Sequence, residues 1–151
     1  MSDNVLSVIP ADPHWLPGQD AADRAAALVA DLVPGDPDDE IEIDVTWHEG
    51  IGVVDSAQNL ERIGCPLCGA SIDVDWWREF VEKEPLSALE CVVPCCSGAT
   101  TLDALAYEWP CGFARFEIAV WNPDRGWFTD DEMAALGAAL GHPVRQVFAH
   151  I

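Results

Sequence analysis

The sequence predicts an α+β domain in which a four-stranded antiparallel sheet carries two helices on one face and a cysteine-rich module is inserted between its halves. Three observations lead there. Two stretches, one near each terminus, follow the same plan of a strand, a proline-bearing loop with one tryptophan, and an Ala/Leu helix. A stretch between them alternates apolar and acidic residues with the period of a half-buried strand. Five of the six cysteines fall between residues 50 and 110, where neither pattern continues. A chain of 151 residues with 50% hydrophobic content can bury one ordinary core, so residues 1–151 read as a single domain and residues 50–110 as an insertion within it.

The elements follow in order. "NVLSVIP", Asn4 to Pro10, reads as a short buried strand. "DAADRAAALVADLVPG", Asp20 to Gly35, places Ala22, Ala25, Ala26, Val29 and Leu32 or Val33 on one helical stripe, and Pro34 with Gly35 supplies the stop. In "EIEIDVTWH" the side chains of Ile41, Ile43, Val45 and Trp47 point one way and those of Glu40, Glu42, Asp44 and Thr46 the other, so this strand has an acidic outer face. The last third repeats the plan with a strand from Phe113 to Pro123, a helix from Thr129 to Gly141 and a strand from Pro143 to Ile151. Thr129 and Glu132 form a capping box, and Gly141 followed by Pro143 ends the helix. A repeated β-α-β unit of this kind is the split β-α-β arrangement of ferredoxin-like folds. The matched loops carry Trp15 and Trp127, which are expected at the same end of the sheet, either plugging the core or forming a shared partner-binding ledge.

The insertion opens with a Gly-rich turn, presents "RIGCPLCGASIDV", forms a short helix at "VDWWREFVEK" and returns with "LECVVPCCSGATTLDAL". In "CPLCG", Cys65 and Cys68 are spaced so that one tight turn directs both sulfurs at one metal. Pro66 stiffens that turn, and Gly69 lets backbone amides approach the thiolates. This stretch resembles the knuckle of zinc ribbons and rubredoxins, a likeness that covers about five residues and the following "ASI" and implies a metal site of the zinc-ribbon kind.

A tetrahedral structural site needs two further ligands. "CCSGATTL" tracks "CGASI", which makes Cys96 the counterpart of Cys68. The position three residues before Cys96 is Val93, so the fourth ligand is Cys95 or Cys91. Pro94 precedes Cys95 as Pro66 follows Cys65, and this favours the set Cys65, Cys68, Cys95 and Cys96 around one structural zinc ion. Adjacent cysteines can share a metal only across a sharp bend, which Ser97 and Gly98 permit. Cys111, in "EWPCGFARF", reads as a small buried apolar residue.

A zinc-dependent hydrolase or deaminase would need His-x-Glu beside the metal and Pro-Cys-x-x-Cys after it. Here His48 and Glu49 are adjacent, "CPLC" lacks the leading proline, and four thiolates leave no place for an activated water. No phosphate-cradling loop, nucleophile elbow or cofactor fingerprint occurs, so no catalytic residues are assigned. A rubredoxin-like iron electron carrier is the second metal reading, although rubredoxins space both knuckles by two residues and "CVVPCC" does not.

With 27 acidic residues against 7 Lys and Arg, the formal net charge is −20, which repels nucleic acid and anionic membranes and attracts basic partners. No apolar run of about 18 residues spans a bilayer, and the start lacks the pattern of a signal peptide. The expected compartment is the cytoplasm, where thiols stay reduced and serve as ligands or core residues. The functional expectation is a non-enzymatic, zinc-stabilised, acidic protein-binding module, analogous to immunity proteins, antitoxins or adaptors. It would dock a basic partner protein through Glu40, Glu42 and Asp44, or through the ledge at Trp15 and Trp127.

Overall fold

The computed structural model describes residues 4–33, 42–54, 62–81, 89–108, 111–123 and 125–150. Its largest sheet is built from β1 (Asn4–Pro10), β2 (Glu42–Val54), β8 (Gly112–Trp121) and β9 (Val144–His150), in the order β2-β8-β1-β9. Every neighbouring pair in it is antiparallel. The helices α1 (Gln19–Leu32) and α3 (Asp130–Leu140) pack on one face of that sheet. Leu6, Val8, Phe116, Ile118 and Val120 from the strands meet Ala22, Ala25, Val29, Leu136 and Leu140 from the helices. The alanine stripe of α1 is what lets this helix lie close, since small side chains shorten the distance between packed elements while apolar area still leaves water.

The boundaries of α3 are set as its sequence predicts. The Thr129 hydroxyl accepts from the Glu132 amide at 3.1 Å, Glu132 accepts from the Thr129 amide at 2.8 Å, and Gly141 takes the left-handed conformation at φ +87°. Arg125 ties the two helices together. Its guanidinium donates to the Leu32 carbonyl at the end of α1 and to both carboxylate oxygens of Glu132 at 2.6 and 2.9 Å. Arg125 holds the Glu132 carboxyl down at about 2, with the Thr129 amide adding to the effect.

In β2, Ile43 and Val45 face the core, while Glu42, Asp44 and Thr46 are exposed on the other face. The strand does not stop at Gly50, where the sequence predicted a Gly-rich turn. Its ladder with β8 breaks register between Trp47 and Gly52 and then resumes, pairing Gly52 with Ala114 and Val54 with Gly112. Four residues of β2, His48 to Ile51, stand against the single Arg115 of β8, and this irregularity absorbs the excess so that the strand passes through two glycines without ending.

Between β2 and β8 lie the short strands β3 (Ile63–Gly64), β4 (Ser71–Ile72), β5 (Glu90–Val92), β6 (Ala99–Thr101) and β7 (Ala106–Tyr107), with α2 (Val74–Val81). They form one sheet of order β4-β3-β7 and a separate β5-β6 pair. Ile63, Ile72, Trp77, Cys91, Val93, Leu102 and Phe113 make a second hydrophobic cluster under them. Trp77 is fully buried, and its Nε1 donates to the Tyr107 hydroxyl, which donates to the Leu102 carbonyl at 2.6 Å. That chain satisfies the indole and the phenol inside an apolar cluster. Burial pushes the Tyr107 hydroxyl far above its ordinary range, with Cys111 and Cys91 nearby adding to the effect.

Candidate metal centre

Two turns with the same backbone build the centre. In the first, Cys65 to Ala70, the Cys65 amide donates to the Ala70 carbonyl at 2.8 Å and the Gly69 amide to the Cys65 carbonyl at 3.0 Å. In the second, Val93 to Gly98, the Val93 amide donates to the Gly98 carbonyl and the Ser97 amide to the Val93 carbonyl, each at 3.0 Å. Gly69 and Ser97 hold the matching left-handed positions at φ +79° and +57°. Pro66 matches Pro94, and Cys68 matches Cys96.

The match settles how neighbouring cysteines reach one cluster. Val93, fully buried, takes the place of Cys65, and Cys95 takes the place of Leu67 at the tip of the turn. The second turn therefore offers sulfurs from its third and fourth positions, where the first offers them from its first and fourth.

The four sulfurs of Cys65, Cys68, Cys95 and Cys96 lie within 4.8 Å of one another. Cys68 and Cys95 are separated by 3.5 Å and Cys65 and Cys96 by 3.9 Å. A tetrahedron with metal–sulfur bonds of about 2.3 Å has edges of about 3.8 Å, so the donor set matches one thiophilic ion in spacing as well as in chemistry. The Leu67 amide points at Cys65 Sγ at 3.4 Å, the kind of backbone contact that supports a metal thiolate. Gly98 lets the turns close on each other, because a Cβ there would meet Leu67 Cδ1 at 2.5 Å and Cys96 Sγ at 3.3 Å.

The thiols perturb one another unequally. Burial works against ionisation of Cys65, but the amides of Cys68 and Leu67 and the thiols of Cys95 and Cys68 outweigh it and bring Cys65 down to about 7. Desolvation, with the sulfurs of Cys68 and Cys65 close by, pushes Cys95 up to about 12. The Gly98 amide favours the Cys96 thiolate, yet desolvation and the neighbouring sulfurs raise it overall. Four thiolates in one cluster repel each other, and a divalent cation at their centre removes that cost.

No protein-family model, no curated protein and no solved structure matches this chain. What the site can do rests on its own geometry.

The sequence left Cys91 and Cys95 as alternatives, and the structure brings Cys95 into the cluster. Cys91 sits in the matching position to Ile63, buried in the second hydrophobic cluster, where burial first and Asp103 second raise its thiol. Cys111 is buried in the same cluster. His48 and Glu49 lie in β2 and do not join the sulfurs. Glu42 and Asp44 are exposed as expected, whereas Glu40, Asp38 and Asp39 lie outside the described residues.

The shared tryptophan ledge does not form. β1 and β8 are antiparallel, with Val5 opposite Trp121, so the loop after Pro10 and the loop after Trp121 leave from opposite ends of the sheet. Trp15 stacks on His142 at 4.5 Å between ring centroids, and Trp127 packs against Phe148 at 5.5 Å. Likeness between two β-α units says nothing about the relative direction of their strands.

Sequence reasoning missed a groove between α2 and the β5-β6 pair, lined by Trp76, Phe80, Cys91, Val92 and Ala99 together with Glu90, Thr100 and Thr101. The pair Trp76 and Phe80, spaced by four on α2, is the signal that marks its wall. No helix among the described residues is long and apolar enough to cross a membrane.

Proposed function

We propose that this chain is a non-enzymatic protein-binding module, stapled by one structural zinc ion, that docks a basic protein partner. The observation that carries the metal reading is the cluster of four sulfurs within 4.8 Å of one another, drawn from two turns of the same build. Four thiolates close a tetrahedral ion, which supports a structural role and opposes activated-water chemistry of the hydrolase or deaminase kind. Zinc content near one ion per colourless chain, lost with a chelator, is the test. A red, redox-active iron protein would favour the rubredoxin-like reading, which the exposure of Cys68, Cys95 and Cys96 also suits.

The partner reading draws on the net charge of −20 and on the exposed Glu42 and Asp44 of an edge strand. Edge position and one sign of charge together present a surface that a cationic partner meets first. The strand order β2-β8-β1-β9, with α1 and α3 on one face, supports the ferredoxin-like split β-α-β arrangement as the platform. In that reading residues 50–110, the first five of which still belong to β2, carry a zinc-ribbon-like insertion within a single domain, and the protein works in the cytoplasm, where its thiols stay reduced. Capture of partners by a tagged chain, compared at low and high salt, tests the docking half. A partner set that is not basic, or that holds on without regard to salt, would sink it.

A further inference from the structure

Three of the four cysteines in the cluster, Cys68, Cys95 and Cys96, are exposed, and only Cys65 is buried. Structural zinc sites protect their thiolates by burial, and a metal-bound thiolate that meets solvent remains a nucleophile. Resting on the metal reading above, we propose that Cys68 and Cys95 form an oxidation site for hydroperoxides, at which the pair becomes a disulfide and the zinc ion leaves.

The geometry selects this pair. Their sulfurs are 3.5 Å apart on turns separated by 27 residues, so closing to a bond of about 2.05 Å takes a small movement of two exposed side chains. Cys95 and Cys96 are adjacent, and Cα atoms about 3.8 Å apart across a trans peptide are closer than the roughly 4.4–6.8 Å that a relaxed disulfide spans. Cys65 and Cys96 are 3.9 Å apart, a longer gap, and Cys65 is 3% exposed, so this pair has one solvent-facing member where Cys68 and Cys95 have two.

The chemistry balances. One thiolate of the pair attacks the terminal peroxide oxygen, the O–O bond breaks, the sulfur becomes a sulfenic acid, and the departing alkoxide, or hydroxide for hydrogen peroxide, takes a proton from solvent to leave as alcohol or water. The second thiolate attacks that sulfur, the S–O bond breaks, and the departing hydroxide takes a proton from solvent to leave as water. Two sulfurs are oxidised, one hydroperoxide is reduced by two electrons, and the ion loses two of its four ligands. The new bond joins the same two turns that the metal joined. Metal release and loss of fold are thereby separated, and a reducing thiol with zinc restores the starting state.

The test begins with the zinc-loaded chain, its metal content measured first, and adds hydrogen peroxide in the presence of a chromophoric zinc chelator. The expected result is release of about one zinc per disulfide formed, with the tryptic peptide 63–78 joined to 84–115 and fragmentation placing the bond between Cys68 and Cys95. Dithiothreitol followed by zinc should restore the metal. Cys91→Ser and Cys111→Ser chains should behave as the unaltered chain does. Zinc kept under peroxide that oxidises glutathione in the same tube overturns the proposal and leaves the metal reading standing. A disulfide through Cys91 or Cys111, or sulfinic acid without a disulfide, overturns it as well. A chain that holds no zinc at the outset overturns the metal reading itself, and the proposal with it.

Discussion

Val93 occupies in the second turn the place that Cys65 occupies in the first, with its amide bonded to the Gly98 carbonyl as the Cys65 amide is bonded to that of Ala70. Both side chains are buried. The repeat is thus one of backbone, with the ligand moved two positions along the turn from 93 to 95. A hairpin, a proline-stiffened turn and a left-handed residue suffice to aim sulfurs at a shared point, and either of two positions can supply the first of them.

That relationship predicts a transplant. Cys95→Leu alone should abolish stoichiometric metal binding, because three thiolates remain. Cys95→Leu combined with Val93→Cys makes the second turn a copy of the first, and it should bind one ion per chain again. Metal content of the two purified chains checks this, and failure of the double variant to regain metal would show that the turns are not equivalent.

Replacing ligands one at a time gives a second prediction. Ser at Cys65, Cys68, Cys95 or Cys96 should each release the metal, whereas Ser at Cys91 or Cys111 should keep it and cost about 1–3 kcal/mol for a polar group placed in the second hydrophobic cluster. Chelation of the unaltered chain should loosen that cluster first. Amide hydrogen exchange should rise at Ile63, Trp77 and Val93 while Leu6, Phe116 and Ile118, in the sheet–helix core, stay protected. Uniform loss of protection would show that the metal holds the whole fold.

Much of this centre was legible. "CPLCG" fixed the first pair of sulfurs, and the likeness of "CCSGAT" to "CGASI" fixed Cys96. The choice between Cys91 and Cys95 needed the same comparison carried two residues further upstream, where Cys91 falls in step with Ile63, a core position on its hairpin. The alternation of β2 gave its exposed face, but its passage through Gly50 and Gly52 was hidden, because a break in register depends on the partner strand. The opposite exits of the two tryptophan loops were hidden for a related reason. Strand direction is set by pairing, and the pairing of β1 with β8 joins residues more than a hundred positions apart.

The cap of α3 carries a third prediction. Thr129→Ala should lower stability by about 1 kcal/mol, since the Glu132 amide loses its acceptor. Glu132 itself gives the pH dependence. Its carboxyl falls from the ordinary 4.5 to about 2 in the folded chain, so its contribution is full above about 4.5 and is lost as pH falls toward 2. Glu132→Gln can keep the capping box but not the charge pair with Arg125. Its thermal midpoint should therefore depend less on pH between 4.5 and 2 than that of the unaltered chain, and equal slopes would remove Glu132 from the account of acid unfolding.

The last prediction concerns the acidic edge. Glu42 and Asp44 are alternate residues on the exposed face of β2, about 7 Å apart along the strand, and Glu117 of the neighbouring strand lies opposite Thr46. Two carboxylates thus stand on the edge strand and a third beside them on the inner strand β8, and of these Glu117 also accepts a 2.6 Å hydrogen bond from the Ser7 hydroxyl. Ser7 is buried, so Glu117 is held by the fold, while Glu42 and Asp44 are free to meet a partner. Exposed charges act over about 8 Å at physiological ionic strength and about 3 Å at 1 M salt. Association of a fluorescent oligolysine peptide should then slow steeply between those conditions. Reversing Glu42 and Asp44 to Lys should slow it by roughly tenfold at low salt, because steering depends on the local field more than on contact area. Metal content and thermal midpoint should barely move, since both side chains are solvated and neither is among the groups gathered with the four sulfurs. Glu117→Gln separates a local effect from one of net charge: it removes a charge from the same face of the sheet, one strand in from the edge, yet its amide oxygen can still accept from Ser7. If the double reversal slows association no more than reversal of Asp130 and Asp131 at the start of α3, steering belongs to the whole charge of −20, and β2 is not the docking edge.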